Sequence, residues 1–246
     1  MLTKETATSD PSKPRSNVAD RLAVHASERP DELALVACDG RTLEDGQLVF
    51  YEVEPGDKAP AWSTASFAYL DRDATLLARG LVAMGVRPGH RMALLVKPGL
   101  EFVTLVFALL RSGATMVLVD GGLGRKNIVR CLESTEPDGF VAIPQGHLLR
   151  LAKRRRFHNA RLNVTVGRRW FWGGETLASL RRMGELDAPP TYVGGSQPDE
   201  SAIRNLQSVH PTTAADDPAA IVFTSGSTGP PKGVVYRHQT FVTQCE

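Results

Sequence analysis

The sequence predicts an α/β fold, a mainly parallel sheet with flanking helices. Three observations carry this. From Phe67 to Val166, stretches of helical apolar period alternate with apolar runs of four to six residues. Each run is followed by a segment long enough for a crossover, and strand–helix–strand crossovers make parallel neighbours with a fixed, right-handed sense. Apolar residues make up 42% of the 246 positions, enough to fill a core.

Residues 1–17 are polar, include two prolines and are expected to form a disordered tail. Asn17 is placed to cap a short helix, Val18 to Ser27, which Pro30 stops. The runs LALVAC and QLVFYEV, with Asp39-Gly40 and Asp45-Gly46 as turn signals, predict a hairpin or small sheet between Leu33 and Val53.

Leu70, Ala74, Leu77, Leu81 and Met84 then recur at three- and four-residue intervals, predicting a helix from Phe67 to Met84 closed by Gly85. The alternation continues with strand Arg91–Val96, helix Gly99–Ser112 ended by Gly113, and strand Thr115–Val119. Helix Arg125–Ser134, strand Phe140–Ile143, helix Gln145–Arg154 and strand Leu162–Val166 complete it. Residues 185–218 are rich in Pro, Gly, Ser, Thr and Asp, without apolar period, and read as a long exposed connection. Phe241 to Glu246 opens a further helix.

Several classes of function find no support. A net charge of +2 gives no basis for nucleic-acid binding. The longest apolar stretch, Phe102 to Leu110, is too short for a transmembrane helix, and the first residues lack a secretory h-region. Cys38, Cys131 and Cys245 are odd in number and widely spaced, which predicts reduced thiols in a cytoplasmic protein and no cysteine metal site.

The chemistry concentrates in Ile221–Val235, IVFTSGSTGPPKGVV. A strand, a polar Gly-rich loop and a second strand are expected. Glycines let backbone N–H groups approach an anion; Thr224, Ser225, Ser227 and Thr228 offer hydroxyl donors; Lys232 adds a mobile cation. The pattern is not a Walker loop. Five residues after Gly226 stands Pro231, and Gly233 occupies the place of the Ser or Thr that should follow the lysine. That spacing argues against a P-loop hydrolase or kinase.

The loop closely resembles the phosphate-loop signature of the adenylate-forming enzymes, which include acyl-CoA synthetases, luciferases and peptide-synthetase adenylation domains. The matching residues are Thr224, Ser225, Gly226, Ser227, Thr228, Gly229, Pro231, Lys232 and Gly233. The stretches ARGLVAMGVRPGHRMALLV and FALLRSGATMVLVD are similar to the family's opening blocks, with Gly121 where a proline is usual. One branch is matched further, the synthetases of bacterial long-chain olefin formation, which make a β-lactone from a β-hydroxy fatty acid. The residues shared with its blocks are Val119, Asp120, Gly122, Gly124, Lys126 and Asn127; Ile143, Pro144 and His147; and Trp172, Gly173 and Gly174.

The resemblance implies ATP-dependent activation of a fatty-acid-type carboxylate to an acyl-adenylate, with Mg²⁺ held through the phosphates. It implies that Thr224, Ser225, Gly226, Ser227, Thr228, Gly229 and Lys232 bind the phosphates; it assigns no catalytic residue and no protein metal ligand here. A fatty-acyl-CoA synthetase and a non-catalytic nucleotide-binding or interaction remnant are the alternatives, and a pathway protein is a possible partner. The resemblance also implies that residues 18–246 are the N-terminal part of a large adenylation domain. The family's adenine and ribose contacts, magnesium-binding glutamate and catalytic lysine are not matched. On that reading the sheet is left open, and the chain alone is expected to be marginally stable and inactive.

Other features admit two readings. Lys153 to Arg156 suits an anionic membrane or an acyl-carrier partner, but a solvated face is favoured. Trp170-Phe171-Trp172 lines an acyl groove or makes a core corner. His147 is expected to be a packed or surface histidine, and His238 to cap the last helix.

Overall fold

The computed structural model describes residues 17–38, 62–186, 213–223 and 231–245. The run QLVFYEV, the first sixteen residues and most of the predicted long connection lie outside them.

The first helix is α1 (Asp20–Glu28). It begins two residues later than expected, after a turn at residues 18 and 19. Asn17 Oδ1 accepts from the Ala19 N–H, and Nδ2 donates to the Leu110 carbonyl at 2.8 Å. The side chain thus caps the turn that leads into α1 and also tethers that turn to a distant helix. The strand β1 (Leu33–Cys38) pairs antiparallel with β2 (Trp62–Ser66), so the small sheet draws its described partner from just before the long helix.

That helix is α2 (Phe67–Ala83), opened by the Ser66 hydroxyl accepting from the Tyr69 N–H. Then follow β3 (Arg91–Leu95), α3 (Leu100–Arg111), β4 (Thr115–Val119), a 3-10 turn Gly121–Leu123 and α4 (Gly124–Ser134). Next come β5 (Gly139–Ala142), α5 (Pro144–Ala152), β6 (Leu162–Thr165) and β7 (Glu175–Thr176). From α2 through β6 predicted and observed bounds agree within two residues, whereas β2 has no counterpart in the sequence reading.

The helix α6 (Leu177–Leu186) has no counterpart in the sequence reading, and it takes up the first two residues of the expected loop. Its start was legible. Thr176 Oγ1 accepts from the Ser179 N–H and Ser179 Oγ accepts from the Thr176 N–H, a reciprocal cap at the usual spacing. The described chain ends with β8 (Pro218–Phe223), β9 (Gly233–Arg237) and α7 (His238–Gln244).

Seven strands form one sheet in the order β7-β6-β5-β3-β4-β8-β9. All neighbours are parallel except β9, which runs antiparallel to β8. Strand pleating sorts the core into two layers. Met92, Leu94, Met116, Val141 and Val164 pack with Leu77, Leu81, Leu105, Leu109 and Leu180 of α2, α3 and α6. Ala93, Val117, Phe140, Ala142, Ile221 and Phe223 turn the other way, onto Val129 and Leu132 of α4 and onto Phe157. Each of these large side chains contributes about 1.5–3 kcal/mol by leaving water.

The helices α2 and α6 cross unusually closely. A Cβ at Gly80 would stand 2.2 Å from the Leu180 carbonyl oxygen, and one at Gly184 would stand 2.1 Å from that of Leu76. Two glycines thus allow backbone contact. The Arg181 guanidinium clamps the crossing with two hydrogen bonds to Asp73, at 2.6 and 2.8 Å. At the other end of the sheet, β9 exposes Val234 and Val235.

Candidate functional site

The carboxyl ends of β4 and β8 lie side by side, with Val119 opposite Phe223. The chain leaves β8 at Phe223 and re-enters the sheet at Gly233, directly across the antiparallel ladder. The two strands are therefore the arms of a hairpin whose facing ends, Phe223 and Gly233, stand at the carboxyl edge of the parallel strands. In open α/β sheets that edge is where ligands bind.

The strand–loop–strand expectation is met at both flanks. Thr224, Ser225, Gly226, Ser227, Thr228 and Gly229 lie outside the described residues. Lys232 is described and is exposed at the base of the loop, beside Gly233.

The turn after β4 faces the same edge. The Asp120 N–H donates to the Phe223 carbonyl at 3.3 Å, joining the two strand exits. The Asp120 carboxylate accepts from the Gly122 N–H at 2.9 Å and shapes the 3-10 turn. The helix α4 then starts at Gly124 with Arg125 and Lys126 exposed and no acid in its first turn. The amino ends of α3, α4 and α5 all follow strand exits, so their partial positive charges converge on this edge. Two cations at a helix amino end are unfavourable for the helix alone, and they suit a site that receives an anion. Sequence reasoning matched Lys126 by resemblance but passed over Arg125. Its signal is position: a basic pair directly after a Gly-rich turn at a strand exit.

Neither buried histidine serves this site. The His147 ring is fully buried, stacks on Trp172 with centroids 5.4 Å apart, and bonds the Val164 carbonyl through Nε2 at 3.0 Å. Burial lowers its pKa, which leaves a neutral Nε2–H donor. It is the packed histidine expected.

His238 does not cap α7; it is the first residue of that helix, and Arg237 precedes it at the capping position. It sits at the amino edge of the sheet, where its N–H meets the Asp217 carbonyl. The length of β9, at roughly 3.3 Å per residue, separates it from the loop. Burial pushes its pKa down to about 4, against the opposing charge of Asp217.

The aromatic triplet divides. Trp172 is the core corner: it is 9% exposed, and its indole N–H donates to Thr165 Oγ1 at 3.0 Å. Trp170 and Phe171 are not buried with it. Lys153, Arg154 and Arg155 are exposed, as a solvated face requires, and Arg156 pairs with Glu133 at 2.5 Å. A cavity of about 520 Å³ opens beside that pair, lined by residues including Glu136, Arg155 and His158. It lies at the amino edge with charges of both signs, away from the loop.

Among the described residues, no group of three His, Cys, Asp or Glu side chains is gathered as a metal site, and no helix is long and apolar enough to cross a membrane. Cys131 is a buried free thiol whose pKa burial raises, and Cys245 is exposed and free.

A mainly parallel sheet covered by helices on both faces, with helix amino ends gathered at its carboxyl edge, defines a layered α/β protein. The chain belongs to the AMP-binding enzyme family, whose model matches residues 22–246. It is 40% identical over 230 residues to the olefin beta-lactone synthetase of Stenotrophomonas maltophilia, and 41% identical over 232 residues to that of Xanthomonas campestris. Each match covers 94% of this chain and 36% of the relative, so the chain spans about a third of their length.

Solved structures share the fold. An acetoacetyl-CoA synthetase from Streptomyces lividans superposes with a TM-score of 0.66 at 20% identity, covering 93% of this chain and 31% of that one. An anthranilate CoA ligase in complex with anthranoyl-AMP gives 0.64 at 19% identity, covering 92% and 35%.

Proposed function

We propose that this chain supplies the phosphate-gripping part of an ATP-dependent, AMP-forming ligase that activates a β-hydroxy fatty acid and closes it to a β-lactone. The observation that carries this reading is the 40% identity to an olefin beta-lactone synthetase across 94% of the chain. On the same reading, residues 18–246 belong to one large adenylation domain.

A carboxylate oxygen of the acid attacks the α-phosphorus of ATP, the bond to the β-phosphate bridging oxygen breaks, and pyrophosphate leaves. The substrate's own β-hydroxyl oxygen then attacks the activated carbonyl carbon, loses its proton and expels AMP. In such transfers positioning and electrostatics do most of the work. Thr224, Ser225, Gly226, Ser227, Thr228 and Gly229 hold the β- and γ-phosphates through N–H and hydroxyl donors. Lys232, at the root of the hairpin, adds charge as pyrophosphate separates. The amino end of α4, with Arg125 and Lys126, extends the positive edge toward the phosphates. Mg²⁺, when bound, rides on the phosphates and neutralises part of their charge.

The test, run in a full-length ligase that carries this segment, is exchange of labelled pyrophosphate into ATP, dependent on a β-hydroxy fatty acid, with β-lactone and AMP detected by mass spectrometry. Lys232→Ala should lower exchange by about tenfold or more, the loss of one charge-assisted contact. Unchanged exchange would remove Lys232 from the site. A second reading, transfer of the acyl group to a carrier thiol, has support from a Mycobacterium tuberculosis fatty-acid–[acyl-carrier-protein] ligase 25% identical over 228 residues. Lactone formation without added thiol separates the two.

A further inference from the structure

The turn between β6 and β7 displays two aromatic rings to solvent on a fixed support. Phe171 is 77% exposed and Trp170 is 50% exposed. Both rings lean on the buried Trp172, with centroids 5.5 and 5.4 Å away. Trp172 is itself held by its hydrogen bond to Thr165 and its stacking on His147. The Arg169 guanidinium closes the turn on the Gly174 carbonyl at 2.6 Å. Gly167, Gly173 and Gly174, all with positive φ, bracket it. The exposed rings are therefore presented by a built structure, not by a floppy tip.

The turn itself carries only basic charge, from the exposed residues Arg168 and Arg169. The next acid along the chain, Glu175, accepts a hydrogen bond from Ser179 Oγ at 2.7 Å. The area available argues for the kind of partner. A Trp and a Phe expose at most roughly 300 Å² here, given side-chain areas of 150–250 Å² each. A stable protein interface takes about 800 Å² from each side. Two convex rings flanked by guanidinium groups are too small for that. They match the requirements of a bilayer surface, where indole and phenyl rings settle at headgroup depth and arginines pair with lipid phosphate.

We propose that the Arg168–Phe171 turn is a contact point for an anionic phospholipid bilayer, binding reversibly through two inserted rings and two guanidinium–phosphate pairs. This does not depend on the proposed ligase activity. It places the carboxyl edge of the sheet, where β8 ends at Phe223, against the membrane.

The test is flotation of the chain with vesicles of phosphatidylcholine plus phosphatidylglycerol, against phosphatidylcholine alone. Binding to the anionic vesicles alone is expected, and it should fall steeply with salt. Phe171→Ser should weaken partitioning about tenfold or more, and Arg168→Gln about fivefold. Both positions are exposed, so circular dichroism should be unchanged. Lys153→Gln, the same charge loss at the opposite edge, should leave binding intact. Three results would overturn the proposal. These are no flotation with anionic vesicles, equal weakening by Lys153→Gln, and a concentration-dependent dimer that Phe171→Ser abolishes while vesicle binding persists. Pyrophosphate exchange measured on the same variants reports separately on the ligase reading.

Discussion

Phe223 and Gly233 face each other on the last rung of the β8–β9 ladder, and the Phe223 ring fills the space a side chain at 233 would need. A Cβ there would stand 2.7 Å from Phe223 Cζ and 3.2 Å from Ile221 Cγ2. The pair closes the ladder on both sides of residues 224–232. Gly233→Ala should destabilise by about 1–3 kcal/mol through overpacking and should lower pyrophosphate exchange. Adding Phe223→Leu should recover part of that loss, so that the double variant is less damaged than the two single changes together predict. Strict additivity in denaturant titrations would show that the contact does not matter.

Arg111 is 1% exposed and donates to Thr75 Oγ1, to the Asp71 carbonyl and to the Asp71 carboxylate. The guanidinium joins α3 to α2 from a buried position, while the Asp71 side chain is partly exposed. Asp71→Ala strands a buried charge and should cost about 3 kcal/mol. Arg111→Met removes the charge while keeping the volume, and should cost less. Urea unfolding of the two variants gives the comparison.

His238 titrates near pH 4 in the folded chain, against 6.5 for a free histidine. Above pH 6.5 both folded and unfolded states hold it neutral, and it contributes nothing to pH dependence. As pH falls from 6.5 toward 4 the unfolded chain takes up the proton first, and stability is lost. The loss levels off at about 3 kcal/mol. Burial of His147 adds a loss of the same sign. His238→Gln should therefore flatten the fall in stability between neutral pH and about pH 5. An identical slope in the variant would mean that other groups dominate the acid response.

Glu136 follows α4 with φ at 46°, the left-handed conformation in which a helix usually places glycine. Its side chain is exposed. Glu136→Gly should stabilise the fold by about 0.5–1 kcal/mol net of the added unfolded-state entropy. A lower melting temperature in the variant would contradict this.

The sequence by itself determined the alternation of strands and helices from Phe67 to Val166 and the hydroxyl- and glycine-rich composition between Thr224 and Lys232. Both are local. Period tells which face of a segment leaves water, and the spacing of Gly, Ser, Thr and Lys tells what a loop can hold. Only the tertiary structure decided that β8 lies beside β4, which brings Asp120 and Arg125 to the loop's edge. It likewise decided that β1 pairs with β2, and that Trp172 is buried while Phe171 stands out. Apolar period assigns a buried face but not a neighbour. Neighbours follow from which faces pack together across many residues, as at Gly80 and Gly184, where close backbone approach sets the helix spacing.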